Sequence, residues 1–302
     1  MIGVDIINYY KEIKTKLIDT EVYDRIKDYS KERHRVMAYY EVGKMLYEAG
    51  SEYGEDIIGK YAEKLVIEVG KKYNSRTLRR IRQFYRVFSK ENWSPMATKL
   101  SWSHYTELLP IKDVNKLEYY LNLSMNNRLS RNELRFKIKS KEYERLPEKT
   151  RNKLIKKEET NLEDFVKNPI VLKSKNKYEF LTEKNLQDII MEDIPSFLKE
   201  LGEGYSFISN EYKIKIGESY NYIDLLLYNY KFKCFVVVEL KVCELRKEHI
   251  GQIGIYMNYI DKNIKSTYDD KSIGIIICRR DNKFIIEYCS DRKILSREYQ
   301  LN

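Results

Sequence analysis

The first half of the chain carries hydrophobic residues at three- and four-residue steps and little strand-like alternation. Two stripes of this kind are Val36, Tyr40, Gly43 and Tyr47, and Ile58, Tyr61, Leu65 and Val69. Gly50 and Gly70 lie where these two helices are expected to end, because glycine readily takes the backbone conformation that follows a helix. The pattern predicts an all-α N-terminal domain over residues 1–146.

A further helix of this domain is predicted to begin at Asn74 or Ser75, either of which can cap it, and to end near Ser89. Its apolar face comprises Leu78, Ile81, Tyr85 and Phe88. At 100° per residue, five arginines fall on the opposite arc: Arg76, Arg79, Arg80, Arg82 and Arg86. Such a row suits nucleic-acid phosphates, and the turn before it gives the outline of a helix-turn-helix. A charged face that is merely solvated is the alternative.

Two other features of this half have structural interpretations. A short helix is expected to follow the segment 100–104 and to end at Pro110, and we interpret His104 as a hydrogen-bonded packing residue. Ser130 and Glu133 have the spacing of a capping box, which predicts the start of the last helix of the domain.

The pattern changes after a charged segment at 147–168, which we interpret as a linker. A helix is predicted at about 182–201, ended by Gly202, and a second at about 246–260. Strand-like runs occupy 206–216, 220–228, 233–242, 272–278 and 284–288. Helices and strands in this order are typical of an α/β fold, so residues 169–302 are predicted to form an α/β domain.

Charged residues interrupt two apolar strands of this predicted domain. Glu239 and Lys241 are the charges in CFVVVELKV, and Asp224 lies in YIDLLL. Ionised groups in such runs are costly to desolvate, so they need a partner, a metal or a cleft. Residues two apart on a strand share a face, and a hairpin that turns near 230–231 brings Asp224 beside Glu239.

Two carboxylates beside a lysine suit the hydrolysis of phosphodiesters. We expect Asp224 and Glu239 to bind Mg²⁺, with Mn²⁺ as a substitute, and Lys241 to orient the attacking water or to stabilise charge on the phosphate. A buried ion pair with a purely structural role is the alternative. On the next helix, Gln252 and Tyr256 lie on one face, from which they can approach the phosphate, or Tyr256 can simply pack.

Composition supports a partner that is a polyanion. The net charge is +10 and the isoelectric point is near 9.1, with seven basic residues and no acidic one between Lys71 and Arg86. The four cysteines form no CxxC pair and the three histidines lie far apart, so no zinc site is indicated. No apolar stretch is long enough for a membrane span, so we expect a cytoplasmic protein without a membrane partner.

Asp224, the Glu239-Leu240-Lys241 run and then Gln252 and Tyr256 resemble the core of the PDDEXK nuclease superfamily in its QxxxY-bearing branch. The resemblance is closer to the bacterial YhcG-like family, which joins a helical N-terminal domain to a nuclease domain with a restriction-endonuclease-like core. The segments that carry it are LSWSHY (100–105), FLKELGEG (197–204), YIDLLLY (222–228), VELKV (238–242), EHIGQ (248–252) and IGIIIC (273–278).

The resemblance implies metal binding by Asp224 and Glu239, a catalytic role for Lys241 supported by Gln252, and DNA as the substrate. The chain departs from the family pattern at Gln187, where a glutamate is usual, and at Asn210-Glu211, where Arg-Gln is usual. An amide is a weaker Mg²⁺ ligand than a carboxylate, so the third ligand stays open. The candidates are Gln187, Glu192 and Glu211, with Glu183 as a further substitute.

The sequence therefore predicts a Mg²⁺-dependent DNA endonuclease whose basic N-terminal domain binds nucleic acid. Because of Gln187, the alternative is a catalytically weak or inactive PDDEXK fold that acts as a nucleic-acid-binding or assembly subunit. In a third interpretation, the helical domain forms the contact of a homodimer. The salt dependence of DNA binding distinguishes this interpretation from DNA binding by the domain.

Overall fold

The computed structural model describes residues 2–25, 31–54, 56–90, 100–174, 178, 180–289 and 293–302. It divides the chain into two compact units, Met1–Lys141 and Glu142–Asn302. No helix within these described ranges is both long and apolar enough to cross a membrane.

The described part of the first unit is helical, as predicted. Its helices are α1 (Ile2–Arg25), α2 (Lys31–Tyr53), α3 (Asp56–Glu68), α4 (Ser75–Lys90), α5 (Trp102–Leu108), α6 (Val114–Asn126) and α7 (Arg131–Lys139), with a 3₁₀ turn at Lys71–Tyr73. One hydrophobic core joins α1 to α4 and includes Leu17, Leu46, Ile58, Leu65 and Ile81. The α3 stripe lies in this core as predicted, whereas α2 contributes Tyr39, Val42, Leu46 and Ala49.

The other face of α2 packs against α4, and two glycines allow the close approach. A Cβ atom at Gly43 would lie 2.5 Å from the carbonyl oxygen of Ile81. Gly50 does not end the helix as predicted, because α2 continues to Tyr53 and is followed by Gly54 with φ +82°. A Cβ atom at Gly50 would lie 3.0 Å from Nη1 of Arg82, so the absent side chain gives room to an arginine of α4.

The hydrogen bonds at three helix starts agree with the sequence pattern. Asn74 Oδ1 accepts a hydrogen bond from the backbone N–H of Thr77 at 3.1 Å, which caps α4. Ser130 and Glu133 form the predicted capping box. His104 lies 2.7 Å from Ser101 Oγ through Nδ1 and 2.8 Å from the carbonyl oxygen of Leu129 through Nε2, which confirms its packing role.

The second unit is the predicted α/β domain. It contains α8 (Glu142–Arg145), α9 (Glu148–Lys156), α10 (Leu162–Phe165), β1 (Ile170–Leu172), α11 (Glu183–Glu192), α12 (Ile194–Leu201), β2 (Tyr205–Ile216), β3 (Ser219–Asn229), β4 (Cys234–Glu244), α13 (Lys247–Asn263), β5 (Ile273–Arg280), α14 (Lys283–Cys289) and β6 (Ile294–Leu301). The described strands form one sheet in the order β1-β6-β5-β4-β3-β2. The pairs β2–β3 and β3–β4 are antiparallel, and the others are parallel.

Hydrophobic clusters cover both faces of this sheet. One contains residues of α11 and α12, including Leu186, Ile190 and Phe197, with Val236 and Val238 of β4. The other contains residues of α13, including Ile253, Tyr256 and Met257, with Val237 of β4. The domain is therefore a layered α/β structure with β4 in its middle.

Three predictions for this unit need correction. Residues 284–288 belong to α14 and not to a strand, because Ile285 and Ile286 pack together on one side while Phe284 and Tyr288 are exposed at a four-residue spacing. The single helix predicted at 182–201 is divided at Asp193, which accepts a hydrogen bond from Ser196 and caps α12. Strands β1 and β6 were not predicted.

The charged segment 147–168, expected as a linker, holds α9 and α10 in the second unit. Its charges have partners: Lys167 is 2% exposed and donates a hydrogen bond of 2.6 Å to the carbonyl oxygen of Glu200. The same ammonium lies 3.6 Å from carboxylate oxygens of Glu142 and Glu200, and Arg145 pairs with Glu200. These long-range pairs explain why the unit begins at Glu142, before the end predicted for the N-terminal domain.

Candidate active site

The hairpin β3–β4 brings the charged residues of the two apolar strands together. Its turn follows the pair Asn229 and Cys234, as predicted, and its last ladder pair is Leu225 and Val238. The next position in the same register places Asp224 beside Glu239. The strands therefore stop pairing where their acidic residues begin.

Asp224 occupies this opening in the ladder. Its Oδ2 accepts a hydrogen bond of 2.7 Å from the backbone N–H of Leu240. Ile223 and Leu226 both pack in the cluster on the α13 side, while Leu225 packs on the other side, so the alternation of β3 is interrupted at Asp224.

The carboxyl group of Asp224 has a perturbed pKa. Burial raises the pKa, the hydrogen bond from Leu240 and the charge of Lys241 lower it, and the carboxylates of Glu183 and Glu211 raise it further. The net direction is upward, so the ionised form of Asp224 is disfavoured in this pocket until a positive charge compensates it.

Glu239 is 1% exposed, and only one of its carboxylate oxygens has a partner. Oε2 lies 3.3 Å from Lys241 Nζ, whereas Oε1 is buried and has no hydrogen-bond partner among the described residues. Burial first, and then the charge of Asp224, raises the pKa of Glu239 to about 8. When it is ionised, such a buried carboxylate destabilises the fold, and a bound cation can compensate its charge.

Lys241 contacts two carboxylates. Its Nζ lies 3.3 Å from Glu239 Oε2 and 3.5 Å from Glu183 Oε2. Burial lowers the pKa of Lys241, but the carboxylates of Glu239, Glu183 and Asp224 outweigh this effect, so the pKa is above its ordinary value. Lys241 is therefore a protonated donor and not a base at neutral pH.

Two further residues lie near the site: Glu183, which the sequence offers only as a substitute ligand, and His249, to which it gives no role. Glu183 begins α11 after the Thr182 cap, one helical turn before Gln187, and this four-residue spacing was the available signal. The pKa of His249 on α13 is lowered by burial, then by the charges of Lys241 and Arg246. His249 Nδ1 accepts a hydrogen bond of 3.2 Å from the backbone N–H of Arg246.

Besides Glu183, the three candidates for a third ligand lie in different places. Gln187 Nε2 donates a hydrogen bond of 3.3 Å to the backbone carbonyl of Asp224, so it reaches the site as an amide donor. Glu211 lies in β2 with φ +47°, and the register on either side of it places it opposite Asp224. Glu192 is exposed at the far end of α11.

Gln252 and Tyr256 contact each other on α13. Gln252 Nε2 donates a hydrogen bond of 3.0 Å to the hydroxyl oxygen of Tyr256, whose ring is buried in the core on that side of the sheet. Tyr256 thus has the packing role that was its alternative. An approach of either side chain to a substrate phosphate stays a prediction.

The residues of the site fit a divalent cation. The buried unpartnered oxygen of Glu239 beside Asp224 supplies hard anionic ligands of the kind that Mg²⁺ prefers. Within the described ranges, no group of three or more His, Cys, Asp or Glu residues is arranged to hold a metal ion. Mg²⁺ commonly keeps several waters, so two carboxylates are a sufficient protein contribution.

The arginines of α4 differ in exposure. Arg76, Arg79 and Arg86 are exposed, whereas Arg80 and Arg82 are half-buried. Phe84 is buried in α4 and Tyr85, predicted on the apolar face, is only half-buried. The exposed face of this helix is therefore narrower than the five-arginine arc that the sequence predicts.

Comparison with known proteins defines the class to which these features belong. Residues 163–302 match the family described as the YhcG PDDEXK nuclease domain, and residues 21–145 match the DUF1016 N-terminal domain. The second unit is therefore a PDDEXK nuclease domain. With a DUF1016 N-terminal domain before it, the chain belongs to the YhcG-like family of PDDEXK nucleases.

Individual relatives are distant. The protein named "Putative nuclease YhcG" in Escherichia coli (strain K12) is 21% identical over 308 residues, which cover 87% of this chain and 82% of that protein. Two solved structures are similar to 41% of this chain: a repair endonuclease from Pyrococcus abyssi, at 17% identity, and an EndoMS-dsDNA2 complex, at 21%. Both TM-scores are 0.29, and the matches span about half of those chains, 49% and 48%.

Proposed function

We propose that this chain is a Mg²⁺-dependent endonuclease that hydrolyses phosphodiester bonds in DNA. The proposal rests on one observation above others, the buried Glu239 Oε1 that has no partner among the described residues although Asp224 lies beside it. Two acids forced together in core strands destabilise the domain unless a positive charge compensates them, so stability alone gives no reason for them. Binding of a cation between the two carboxylates gives such a reason.

The side chains of the site have distinct tasks in this proposal. Asp224 and Glu239 hold the cation, which supplies an activated water and neutralises charge on the phosphate when bound; Mn²⁺ suits the same ligands. Lys241 keeps its proton because Glu239 and Glu183 stabilise its charge. It therefore donates to a phosphate oxygen or holds the attacking water, and it stabilises the negative charge that develops during hydrolysis.

An assay of substrates and cofactors tests the activity. The full chain is incubated with linear, nicked, branched and single-stranded DNA and with RNA, each with Mg²⁺, Mn²⁺ or EDTA. We expect cleavage of DNA with either cation and none with EDTA. Glu239→Gln, prepared in the same way, controls for a contaminating nuclease. Undiminished cleavage in EDTA contradicts the metal dependence, and preferential cleavage of RNA contradicts the substrate.

The exposed arginines of α4 are proposed to bind the phosphate backbone. Arg76→Gln, Arg79→Gln and Arg86→Gln together should weaken DNA binding for all sequences alike and flatten the salt dependence by up to about 2.7 units, at roughly 0.9 for each lost phosphate contact. A matched control replaces exposed lysines of other helices, Lys11, Lys44 and Lys60, by glutamine. If the arginine variant binds DNA normally but loses a dimer in light scattering, the helix serves self-association instead.

One observation favours a second function, that of an inactive nucleic-acid-binding or assembly subunit. Gln187 offers the site an amide donor, with Nε2 3.3 Å from the backbone oxygen of Asp224, at the position where the family usually has a glutamate. Binding of DNA without cleavage under Mg²⁺ and Mn²⁺ would replace the enzyme proposal with this one.

A further inference from the structure

The sheet carries a two-stranded extension next to the candidate active site. β3 pairs with β4 only from Leu225 onward, so the earlier part of β3 pairs with β2 alone. Residues 212–223 therefore form an arm of two antiparallel strands, with a turn that contains Gly217 at φ +60°. Asp224 follows directly at its base.

The two faces of this arm differ in character. Ile214 and Ile223 are buried in the core on the α13 side, with Tyr212 packed against them. On the other face, the register pairs Lys213 with Tyr222 and Lys215 with Tyr220. All four of these side chains are exposed, Tyr220 by 56% and Tyr222 by 52%. The arm thus presents two tyrosine rings and two ammonium groups to solvent.

The lysines and tyrosines of this face form one cluster. Lys213 Nζ lies 3.8 Å from the centroid of the Tyr220 ring, and Lys215 Nζ lies 5.9 Å from the same centroid. The acidic residues of the arm and its base are Glu218 in the turn, and Glu211 and Asp224 at the base. Between them the exposed face carries only positive charge and aromatic surface.

This combination is complementary to nucleic acid and not to an apolar partner. A tyrosine ring offers a flat surface on which a base can stack, and an ammonium group neutralises a phosphate. Bases in a duplex already stack on their neighbours, so a protein ring can stack fully only on an unpaired base. The cluster therefore fits a strand whose bases are exposed.

The distance to the acidic pair makes the arm relevant to cleavage. Tyr222 precedes Asp224 by two residues and Tyr220 precedes it by four, which is about 7 and about 14 Å along a strand. If the scissile phosphate of a nucleic-acid strand lies at Asp224 and Glu239, the nucleotides on either side of that phosphate lie within these distances.

We propose that the exposed face of the arm, formed by Lys213, Lys215, Tyr220 and Tyr222, binds unpaired nucleotides beside the scissile phosphate. The proposal rests on the nuclease function proposed above and names its substrate class. The enzyme should prefer DNA that has a single-stranded segment at the cleavage position, such as a fork, a flap or a single strand, over a blunt duplex.

Binding experiments in a Glu239→Gln background test this proposal without cleavage. The probes are a single strand, a fork and a blunt duplex of one sequence, each with 2-aminopurine, whose fluorescence reports stacking. Tyr220→Leu with Tyr222→Leu should weaken binding to the single strand and the fork by roughly 5- to 150-fold, the usual range for one lost stacking contact, and should remove the quenching. Binding to the blunt duplex should change little.

Two further variants separate stacking from folding. Tyr220→Phe with Tyr222→Phe keeps the rings and should retain binding and quenching. Tyr230→Leu with Tyr268→Leu changes two tyrosines that are also exposed, by 60% and 90%, but lie outside the arm, and it should behave like the parent. Lys213→Gln with Lys215→Gln should flatten the salt dependence for the single strand by up to about 1.4 units.

Specific outcomes overturn the proposal. Parent-like binding by the leucine variant does so, as does an equal loss on the blunt duplex. Loss of a dimer in light scattering with unchanged DNA binding identifies the arm as a contact between copies of the chain. If the protein with Glu239 cleaves nothing under Mg²⁺ or Mn²⁺ while the tyrosine effect persists, the nuclease proposal fails and the arm remains a binding surface for unpaired strands.

Discussion

Two clusters of buried charge in the nuclease domain differ in how well their groups are paired. Around Lys167, the ammonium meets Glu142, Glu200 and the carbonyl oxygen of Glu200, and Arg145 pairs with the same Glu200 carboxylate. Around Glu239, the carboxylates of Glu239 and Glu183 both contact Lys241, and Glu239 Oε1 has no partner in the described part of the chain.

This difference in pairing distinguishes a structural cluster, around Lys167, from a candidate functional cluster, around Glu239. Removing one member of a well-paired buried cluster leaves an uncompensated charge, so the loss of a single member is strongly destabilising. A cluster with surplus negative charge costs stability and gains only when a cation is bound. The first cluster joins the segment from Glu142 to the domain, and the second is the candidate active site.

The largest expected effect concerns activity. Asp224→Asn and Glu239→Gln should each lower cleavage by at least roughly 10²-fold, the scale at which the loss of one charge-stabilising group acts, because each removes an anionic ligand. Both variants should remain folded. Glu244→Gln, an exposed substitution on the same strand, is the matched control and should cleave as the parent does. Unfolding of both site variants would instead identify the acids as a structural ion cluster.

A substitution in the paired cluster around Lys167 should instead lower the stability of the fold. Lys167→Met removes the ammonium that Glu142 and Glu200 both contact, although Glu200 keeps its pair with Arg145, and should lower the free energy of unfolding by about 3–5 kcal/mol. Lys231→Met, which breaks the exposed pair with Glu203, should cost no more than about 1 kcal/mol. Urea unfolding of the full-length variants measures both. Equal losses for the two would mean that burial adds nothing to the Lys167 cluster.

The sequence predicted the acidic site better than the paired cluster. Asp224, Glu239 and Lys241 were detectable because each interrupts an apolar strand, and one hairpin brings them together. Lys167 lies in a charged segment that resembles a solvated linker, and its partner Glu200 is 33 residues away. No local pattern contains such a pair.

Helix and strand assignments failed for related reasons. The run at 284–288 is too short for its periodicity to separate strand from helix, and only its packing identifies α14. In β6, the three consecutive polar residues Ser296, Arg297 and Glu298 interrupt any alternation, and its pairing with β1 and β5 decides its structure. Glu183 was a substitute ligand that the sequence could not prefer over Glu192 or Glu211, because acidic residues are common in the first turn of any helix.

The unpaired cluster should also make stability depend on pH. The pKa of Glu239 is raised to about 8, above the ordinary 4.5, so the folded state favours the protonated acid. The free energy of unfolding therefore falls as the pH rises from about 4.5 to 8. Over this range the unfolded chain releases the proton of Glu239, whereas the folded chain disfavours the ionised form.

Thermal melts in EDTA from pH 5 to pH 9 measure this loss. Glu239→Gln cannot ionise, so its melting temperature should exceed that of the parent at the upper end of this pH range, and the difference should close toward pH 5. Addition of Mg²⁺ should raise the melting temperature of the parent but not of the variant. A parent more stable than the variant at pH 9 in EDTA would contradict the pKa assignment.

The smallest effect concerns Gln187, whose amide donates to the backbone oxygen of Asp224 and on which the proposed alternative of an inactive subunit rests. Gln187→Glu loses one neutral hydrogen bond, about 0.5–1.5 kcal/mol, and adds a negative charge to the acidic pair. The variant should melt lower in EDTA, yet it should cleave a few-fold faster at limiting Mg²⁺, because the extra carboxylate strengthens cation binding. Gln187→Met removes the same hydrogen bond without the charge, so it should share the lower melting temperature but not the gain in cleavage. If both variants cleave equally at limiting Mg²⁺, position 187 acts only through its hydrogen bond, and the amide does not limit metal binding.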